Sequence, residues 1–342
     1  MNPNTAIWIR NKSIQLNFLL IAFLACDVLV ALPAYAQDYD LVILNGRVMD
    51  PESNLDAVRN VGVKDGKITA VTNEAIKGTE TIDATGHVVA PGFIDTHSHN
   101  SLTPFGRKLA LRDGVTTPLE LEVGVIPVAE WYQGMEGKSQ TNYGATVSVM
   151  GARETVFNPK FKTITGATVN DIELAHATHA DMSWSTQVPT DAEIKKILSL
   201  LDEGLKQGAL GIGHVPGYMV DGTTPQESYG AQQLAGKYGR FVSLHGRFSS
   251  QNPPTTGILG IEEQLAAVAA AGGGLIVCHM TAQTLALTPA ALAMIDTAYG
   301  KGLQVVAEIY AYTYGATCSL SPGTTRSVGT SSRKSDVCSM LA

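Results

Sequence analysis

Two histidines separated by one residue, His97 and His99, follow an apolar segment that runs from Val88 to Ile94. Side chains at positions i and i+2 of an extended strand project to the same face, so both imidazoles can reach one cation. Imidazole nitrogen is a common zinc ligand, and a catalytic zinc site keeps one coordination position open. The spacing therefore indicates a metal site with His97 and His99 as its first two ligands.

Two more histidines stand directly after apolar segments. His245 follows Phe241–Leu244, and His279 follows Leu275–Cys278. In a barrel of parallel strands, the carboxyl ends of the strands form the rim that carries the active site. We therefore predict both histidines as further metal ligands. For His214, which ends another such segment, pocket lining and a structural role both stay open.

Two glutamates, Glu120 and Glu122, occupy alternate positions near the end of the segment from Gly114 to Glu122. A carboxylate on a buried strand is costly unless it is paired or bound to a metal. We prefer Glu122 as the metal ligand because it lies nearer the carboxyl end of the strand, and Glu120 is the second candidate.

Strands and helices alternate in the part of the chain that carries these residues. The seven candidate strands are Val88–Thr96, Val115–Val123, Ala145–Met150, Ala209–His214, Phe241–His245, Leu275–His279 and Leu303–Ile309. The clearest helices between them are Asp191–Gln207, Gly260–Ala271 and Pro289–Tyr299. The alternation predicts an α/β fold with parallel strands, with a (β/α)8 TIM-like barrel, incomplete at about seven strands, as the leading choice. A doubly wound sheet is the alternative, but the glycine-rich phosphate loop typical of it is not in the sequence.

The segment before the barrel is rich in short strands. Leu41–Leu44 runs into a turn at Asn45-Gly46, and Asp65-Gly66 is a strong signal for a two-residue hairpin. We predict a small β-sandwich portion over residues 37–88, the hydrolase barrel over 89–318 and an irregular tail over 319–342.

The N-terminus has the order of regions found in a secretory signal peptide. Arg10 and Lys12 precede the apolar run Leu16–Leu32, and Ala34–Ala36 supplies a cleavage site with small residues. We predict a signal peptide over residues 1–36 and a secreted or periplasmic mature chain that is not held in the membrane. Lipoprotein attachment at Cys26 is the less favoured alternative.

Composition limits the kinds of molecule that the chain is expected to bind. The 342 residues carry a formal net charge of −7, and no basic patch is visible, so we expect no nucleic-acid partner. The three cysteines after the signal, Cys278, Cys318 and Cys338, are an odd number without close spacing, which disfavours a disulfide framework. A small-molecule substrate is expected, and a homo-oligomer is compatible with the sequence.

Three segments resemble the amidohydrolase superfamily. Val89–His99 closely resembles its first barrel strand, and Tyr39–Val48 and Val63–Ile68 resemble its N-terminal β-sandwich portion. The resemblance runs from about Asp38 to about Thr317. It implies one or two zinc ions, with His97 and His99 on one metal and the histidines closing the fifth and sixth strands on the other. Glu122 then stands where a bridging anion is needed.

Within that superfamily, Gly208–Gly213 and Glu308–Thr317 are similar to the N-acyl-D-amino-acid deacylases. This resemblance implies metal-assisted hydrolysis of an amide, because zinc lowers the pKa of bound water to about 7. The substrate carboxylate would need a cationic partner, and Arg247, two residues after His245, is well placed for it, while a role as a surface salt-bridge residue stays equally open. Tyr310 or Tyr312 is the candidate that stabilises the oxyanion.

One departure from the family pattern affects the expected activity. The family's proton-transferring Asp follows the eighth strand, but the only Asp beyond residue 296 is Asp336, in a segment unlike a strand. We therefore expect a C-terminally truncated chain that is poorly folded or weakly active. The alternatives are a cyclic-amide hydrolase or deaminase of the same superfamily, or an inactive remnant.

Overall fold

The computed structural model describes residues 39–158 and 183–310, together with the backbone of residues 316–317 and 339–340. The predicted signal peptide, Tyr312 and most of the predicted tail lie outside the described residues. The chain divides between Pro91 and Gly92 into two compact units. Among the described helices, none combines the length and the apolar character that crossing a membrane requires.

The first unit contains one five-stranded sheet. Its strands are β1 (Tyr39–Asp50), β2 (Leu55–Lys64), β3 (Lys67–Thr72), β4 (Gly78–Asp83) and β5 (Val88–Val89). The order is β3-β2-β1-β4, and β5 also pairs with β1. The predicted hairpin at Asp65-Gly66 is confirmed: it joins β2 to β3, and both residues have the positive φ of a type I′ turn, 50° and 71°.

Two details of this unit differ from the prediction. The prediction of a turn at Asn45-Gly46 is wrong, because β1 continues through these residues as a bulge in which Asn45 has a φ of 63°. The backbone N–H of Asn45 donates to Asn60 Oδ1 at 2.9 Å, which satisfies the group that the bulge takes out of the ladder. The predicted strand Val88–Thr96 is also wrong in its first part, since Val88 and Val89 pair with β1.

The second unit is built on a curled sheet of seven parallel strands. They are β6 (Phe93–Asp95), β7 (Val115–Val125), β8 (Gly144–Ser148), β9 (Ile212–His214), β10 (Phe241–Leu244), β11 (Gly274–Val277) and β12 (Gln304–Ala307). Sequential strands are neighbours throughout, in the order β12-β11-β10-β9-β8-β7-β6. The predicted mixed α/β fold with about seven barrel strands is therefore confirmed. Ser339–Met340, in the predicted tail, pairs with Ala316–Thr317 as a separate short ladder.

Helices separate these strands along the chain. They are α1 (Pro104–Arg112), α2 (Val128–Met135), α3 (Val149–Phe157), α4 (Ser183–Thr186), α5 (Asp191–Lys206), α6 (Pro225–Lys237), α7 (Gly257–Ala271), α8 (Met280–Thr284) and α9 (Thr288–Gly300). Three short 3₁₀ turns, His99–Leu102, Pro216–Tyr218 and Leu285–Leu287, complete the described set.

Helix α5 shows how the sequence directs its own packing. Thr190 and Glu193 form a reciprocal capping box that fixes its start. The helix ends at Lys206, one residue before the predicted limit, and Gln207 is its C-cap. The apolar positions spaced three and four apart, among them Ile197 and Leu201, are fully buried in the core. This helix therefore anchors the outer layer against the sheet.

We expect Ile197→Ala to lower the free energy of unfolding by about 2–5 kcal/mol, because the substitution leaves a cavity in a fully buried site. Urea unfolding followed by circular dichroism measures the loss. The control is Lys195→Ala on the exposed face of the same helix, for which we expect a change within about 0.5 kcal/mol. Equal losses in the two variants would contradict the packing described for α5.

Candidate metal centre

The polar residues with metal-ligand chemistry gather at the carboxyl ends of the parallel strands. Those that the structure brings together are His97 and His99 after β6, Glu120 and Glu122 on β7, His245 after β10, His279 after β11 and Glu308 after β12. Strands of one parallel sheet end at the same edge, so residues far apart in sequence meet there. The arrangement places four imidazoles around the carboxylate of Glu122.

Glu122 is the centre of the cluster. Its Oε2 lies 3.3 Å from Nε2 of His97 and 2.9 Å from Nε2 of His99. Its Oε1 lies 2.7 Å from Nδ1 of His245 and 2.6 Å from Nε2 of His279. Each oxygen of one carboxylate therefore faces one pair of histidines.

These spacings fit two neighbouring metal positions that share Glu122. Ligand atoms of a tetrahedral zinc ion with bonds of 2.0–2.1 Å are about 3.3 Å apart. The two groups formed by Glu122 with each histidine pair have their ligand atoms within 4.8 Å of one another. His245 Nδ1 and His279 Nε2 are themselves 3.1 Å apart. The donor set, imidazole nitrogen with one shared carboxylate, suits divalent transition metals.

Glu120 contacts the ring nitrogen of His99 that does not face Glu122. Its Oε2 accepts a hydrogen bond from Nδ1 of His99 at 2.8 Å, and its Oε1 accepts one from the backbone N–H of Val123 at 3.0 Å. The strand is irregular here: the pairing of β7 with β8 shifts between Glu120 and Val125, and Gly124 has a φ of 74°. The structure thus places Glu120 against the outer nitrogen of His99, on the side away from Glu122.

Glu308 accepts a hydrogen bond from the outer nitrogen of His97, as Glu120 does from that of His99. The sequence did not single out Glu308 as a site residue. Its Oε2 accepts from Nδ1 of His97 at 2.9 Å, and its Oε1 accepts from the hydroxyl of Thr96 at 2.5 Å. The thiol of Cys278 lies in the same neighbourhood, within 4.8 Å of ligand atoms of His97 and Glu308. The signal for Glu308 was available, because it directly follows an apolar strand, as His245 and His279 do.

The pKa shifts of the residues in the cluster show that it favours positive charge. Burial acts to lower the pKa of His99, but the charge of Glu120 and hydrogen bonds to Glu120 and Glu122 outweigh it and raise that pKa to about 10. Burial opposes the same effect at His97, where Glu122, Cys278 and Glu308 together raise the pKa. Burial alone would raise the pKa of Glu122, yet the surrounding histidines hold it well below its usual value.

His245 responds in the opposite direction. Burial lowers its pKa, and the charge of Glu122 only partly offsets that effect. A neutral imidazole offers a lone pair to a metal, whereas an imidazolium does not. The lowered pKa favours the neutral form of His245, which is the form that binds metal.

The predicted substrate-binding residue, Arg247, is already paired in this structure. Its Nε and Nη2 donate to the carboxylate of Glu263 at 2.8 and 3.0 Å, and its Nη1 donates to the carbonyl of Thr223 at 2.8 Å. A role in substrate binding stays a prediction, since the guanidinium would have to exchange one of these partners. Tyr310 is half-buried at the end of the described segment, and Tyr312 lies outside it, so their oxyanion role also stays a prediction.

His214 does not join the cluster. It is fully buried, and its Nε2 lies 2.9 Å from the hydroxyl of Ser228. Burial, with the nearby charges of Arg247 and Arg153, lowers the pKa of His214 to about 3. Of the two roles left open by the sequence, the geometry favours the structural one.

Comparisons with known proteins agree with the family resemblance of the sequence. A model described as the amidohydrolase family matches residues 80–217. A dihydroorotase from Streptococcus pneumoniae serotype 4 is 32% identical over 231 residues, which cover 66% of this chain and 46% of the relative. The chain therefore spans about half the length of this relative.

Solved structures with the same fold include two deacylases. An N-acyl-D-glutamate deacylase from Bordetella bronchiseptica, in complex with zinc and a phosphonate inhibitor, has a TM-score of 0.67 at 23% identity and covers 82% of this chain and 60% of its own. A D-aminoacylase has a TM-score of 0.62 at 20% identity, covering 81% and 60%. The match to the amidohydrolase family model over residues 80–217 and the likeness to the dihydroorotase support the resemblance to the amidohydrolase superfamily that the sequence predicted.

The buried neutral state of His214 predicts a pH dependence of stability. Its pKa is about 3 in the folded protein and about 6.5 when unfolded, so between these values the unfolded chain binds the extra proton. The free energy of unfolding should then fall with decreasing pH below about 6.5, by at most about 1.4 kcal/mol per pH unit from this residue.

His214→Asn removes this contribution. Urea unfolding at about pH 7.5 and about pH 5.5, with EDTA present so that metal ligation does not contribute, should show a smaller loss of stability on acidification in the variant than in the wild type. Parallel losses in the two proteins would mean that His214 is already protonated in the fold.

Proposed function

We propose that this chain is a zinc-dependent hydrolase that deacylates N-acyl-D-amino acids by cleaving their C–N amide bond. The observation that carries the proposal is the buried carboxylate of Glu122, each of whose oxygens faces a histidine pair. Such an arrangement of buried charge has no evident use in packing, since burying a carboxylate is costly. It is the donor set of a binuclear metal site.

His97, His99 and Glu122 would hold one ion, and His245, His279 and Glu122 would hold the other. Zinc bound there would supply Lewis-acid activation of water and of the scissile carbonyl. Glu308 and Glu120 accept the Nδ1 protons of His97 and His99, which leaves both Nε2 lone pairs directed at the site.

The remaining catalytic tasks fall to groups around the rim. Glu120, Glu122 and Glu308 each already bond to a histidine, so we assign none of them to proton transfer. Tyr310 or Tyr312 would donate a hydrogen bond to the oxyanion, and Arg247 would bind the substrate carboxylate after exchange with Glu263.

The substrate class rests on the deacylase-like segments of the sequence, and the fold shared with the deacylases is consistent with it. A cyclic-amide hydrolase is the second candidate, favoured by the sequence likeness to a dihydroorotase. A secreted or periplasmic location, following the signal-like N-terminus, is part of the proposal. The proposal also includes a small molecule as the substrate, and it is compatible with a homo-oligomer.

We expect the purified chain to bind up to two zinc ions, and Glu122→Gln to weaken the binding of both, because this change removes the charge that the two positions share. Elemental analysis after dialysis measures the content. Glu262→Gln, an exposed carboxylate on α7, is the matched control and should retain the wild-type content. A folded Glu122→Gln protein with unchanged zinc would eliminate the shared-carboxylate site.

A substrate panel tests the reaction itself. We expect release of free amino acid from N-acetyl-D-amino acids, with little turnover of the L-enantiomers, and loss of turnover in His97→Ala by at least about 100-fold, because removal of a metal ligand disables activation of water. Turnover of dihydroorotate or hydantoins, without turnover of N-acetyl-D-amino acids, would contradict the deacylase proposal and support a cyclic-amide hydrolase. A zinc-loaded, folded chain inert to every amide tested would refute a hydrolytic role.

A further inference from the structure

Cys278 lies beside the metal centre, and no role assigned so far uses its thiol. It directly follows β11, as Glu308 directly follows β12. Its Sγ, one ring nitrogen of His97 and a carboxylate oxygen of Glu308 all lie within 4.8 Å of one another. Thiolate, imidazole and carboxylate are the side-chain donors that bind zinc and softer cations. The three side chains therefore form a third group of metal-ligand atoms.

This third group lies on the side of His97 that faces away from Glu122. The Nε2 of His97 is 3.3 Å from Glu122 Oε2, whereas its Nδ1 is 2.9 Å from Glu308 Oε2. A cation beside Glu308 would thus use Nδ1, and one beside Glu122 would use Nε2. Ligand atoms of a tetrahedral ion bound to sulfur at 2.3 Å and to nitrogen at 2.0–2.1 Å are about 3.5 Å apart, so small side-chain rotations bring the three atoms onto one ion.

Two hydroxyl groups orient the sulfur and the carboxylate of this group. The Ser243 hydroxyl lies 3.1 Å from Cys278 Sγ and can donate to a thiolate there. The Thr96 hydroxyl donates to Glu308 Oε1, which leaves Oε2 facing His97. The ligand atoms are therefore positioned by the protein itself.

Charge and softness favour a thiophilic cation at this position. Cys278 is fully buried, and burial raises the pKa of its thiol to about 12, so a cation binds there by displacing the thiol proton. The thiolate and the Glu308 carboxylate then balance the charge of a divalent ion, in a place where net charge is costly. Sulfur prefers soft ions, whereas Mg²⁺ and Ca²⁺ prefer oxygen. His97 and Glu308 are partly exposed, which gives an ion a path to the sulfur.

We propose that Cys278 Sγ, His97 Nδ1 and Glu308 form a separate site for a soft divalent cation such as Cd²⁺, and that an ion bound there competes with zinc for His97. A neutral imidazole that binds metal through Nδ1 keeps its proton on Nε2. That nitrogen then donates toward Glu122 and offers no lone pair to the half of the centre formed by His97, His99 and Glu122. The competition rests on the metal dependence proposed above, whereas binding of the soft cation does not.

Cadmium titration of the metal-free full chain tests the site, because cadmium bound to a thiolate absorbs in the ultraviolet. The chain has four cysteines, so the starting protein carries Cys26→Ser, Cys318→Ser and Cys338→Ser and keeps Cys278 as its only thiol. We expect a saturable thiolate band in this single-thiol chain. Cys278→Ala should abolish the band, and Mg²⁺ should not produce it.

Variants of neighbouring ligands separate this site from the centre built on Glu122. His97→Ala and Glu308→Gln should each weaken cadmium binding, followed by the thiolate band, by more than about 10-fold, the lower end of the loss caused by removing a group that only supports a ligand. His99→Ala removes a ligand of the Glu122 centre alone and should retain the band, as should exposed Glu262→Gln. Circular dichroism of each metal-free variant establishes that it is folded.

The zinc-loaded single-thiol chain tests the competition. Added cadmium should release zinc, measured by elemental analysis after dialysis, at concentrations that leave zinc bound in Cys278→Ala. Cys278→Ser, which keeps the shape of the thiol, is the second variant and should behave as Cys278→Ala does.

The outcomes separate this inference from the proposed function. A folded single-thiol chain without a thiolate band would overturn the soft-cation site. Equal loss of the band in His99→Ala and His97→Ala would place the cadmium in the Glu122 centre and overturn a separate site. A band without selective release of zinc would overturn the competition. A chain that shows the band but binds no zinc would overturn the proposed function and leave the soft-cation site standing.

Discussion

The burial of the Glu122 carboxylate is the constraint on which the rest of the centre depends. Its side chain is 2% exposed, and an ionised carboxylate in that position is stable only with compensating positive charge or strong donors. The four imidazoles surround this carboxylate, with ring nitrogens 2.6–3.3 Å from its oxygens. The same geometry also suits cations, so one buried charge explains both the histidine arrangement and the affinity for metal that we propose.

The parallel sheet makes this convergence possible. The residues that contact Glu122 follow β6, β10 and β11, and neighbouring strands deliver them to one rim. The irregular pairing of β7 after Glu120 contributes locally, because Gly124 adopts a positive φ and a Cβ there would lie 2.7 Å from the carbonyl of Thr146. A side chain at this position would force β7 and β8 apart and displace both glutamates.

The sequence allowed much of this to be predicted, because periodicity and strand ends are local signals. Positions relative to apolar segments predicted seven barrel strands, the four histidines as candidate ligands and Glu122 rather than Glu120 as the metal ligand. The division of the histidines between two metals and the bridging position of Glu122 came from the family resemblance, and these site roles stay predictions. The sequence did not indicate the pairing of Val88 with β1 or the contact of Glu308 with His97, which joins residues 211 apart. Such long-range partners depend on curvature of the sheet, which no local pattern encodes. Arg247 is a similar case, since its partner Glu263 lies on α7 and no local pattern pairs the two residues.

Charge balance relates the protonated and metal-bound forms of the centre. Among the described residues, the carboxylates of Glu120, Glu122 and Glu308 bring three negative charges to four imidazoles that are neutral when they act as ligands. One divalent ion leaves one negative charge uncompensated, and two leave one positive charge in excess. Without metal, protons on His97 and His99 take over part of the compensation, as the raised pKa of each indicates. An ion held by Nε2 of His97 and His99 would require both imidazoles to give up that proton, so its affinity for this half would rise with pH until the histidines are neutral.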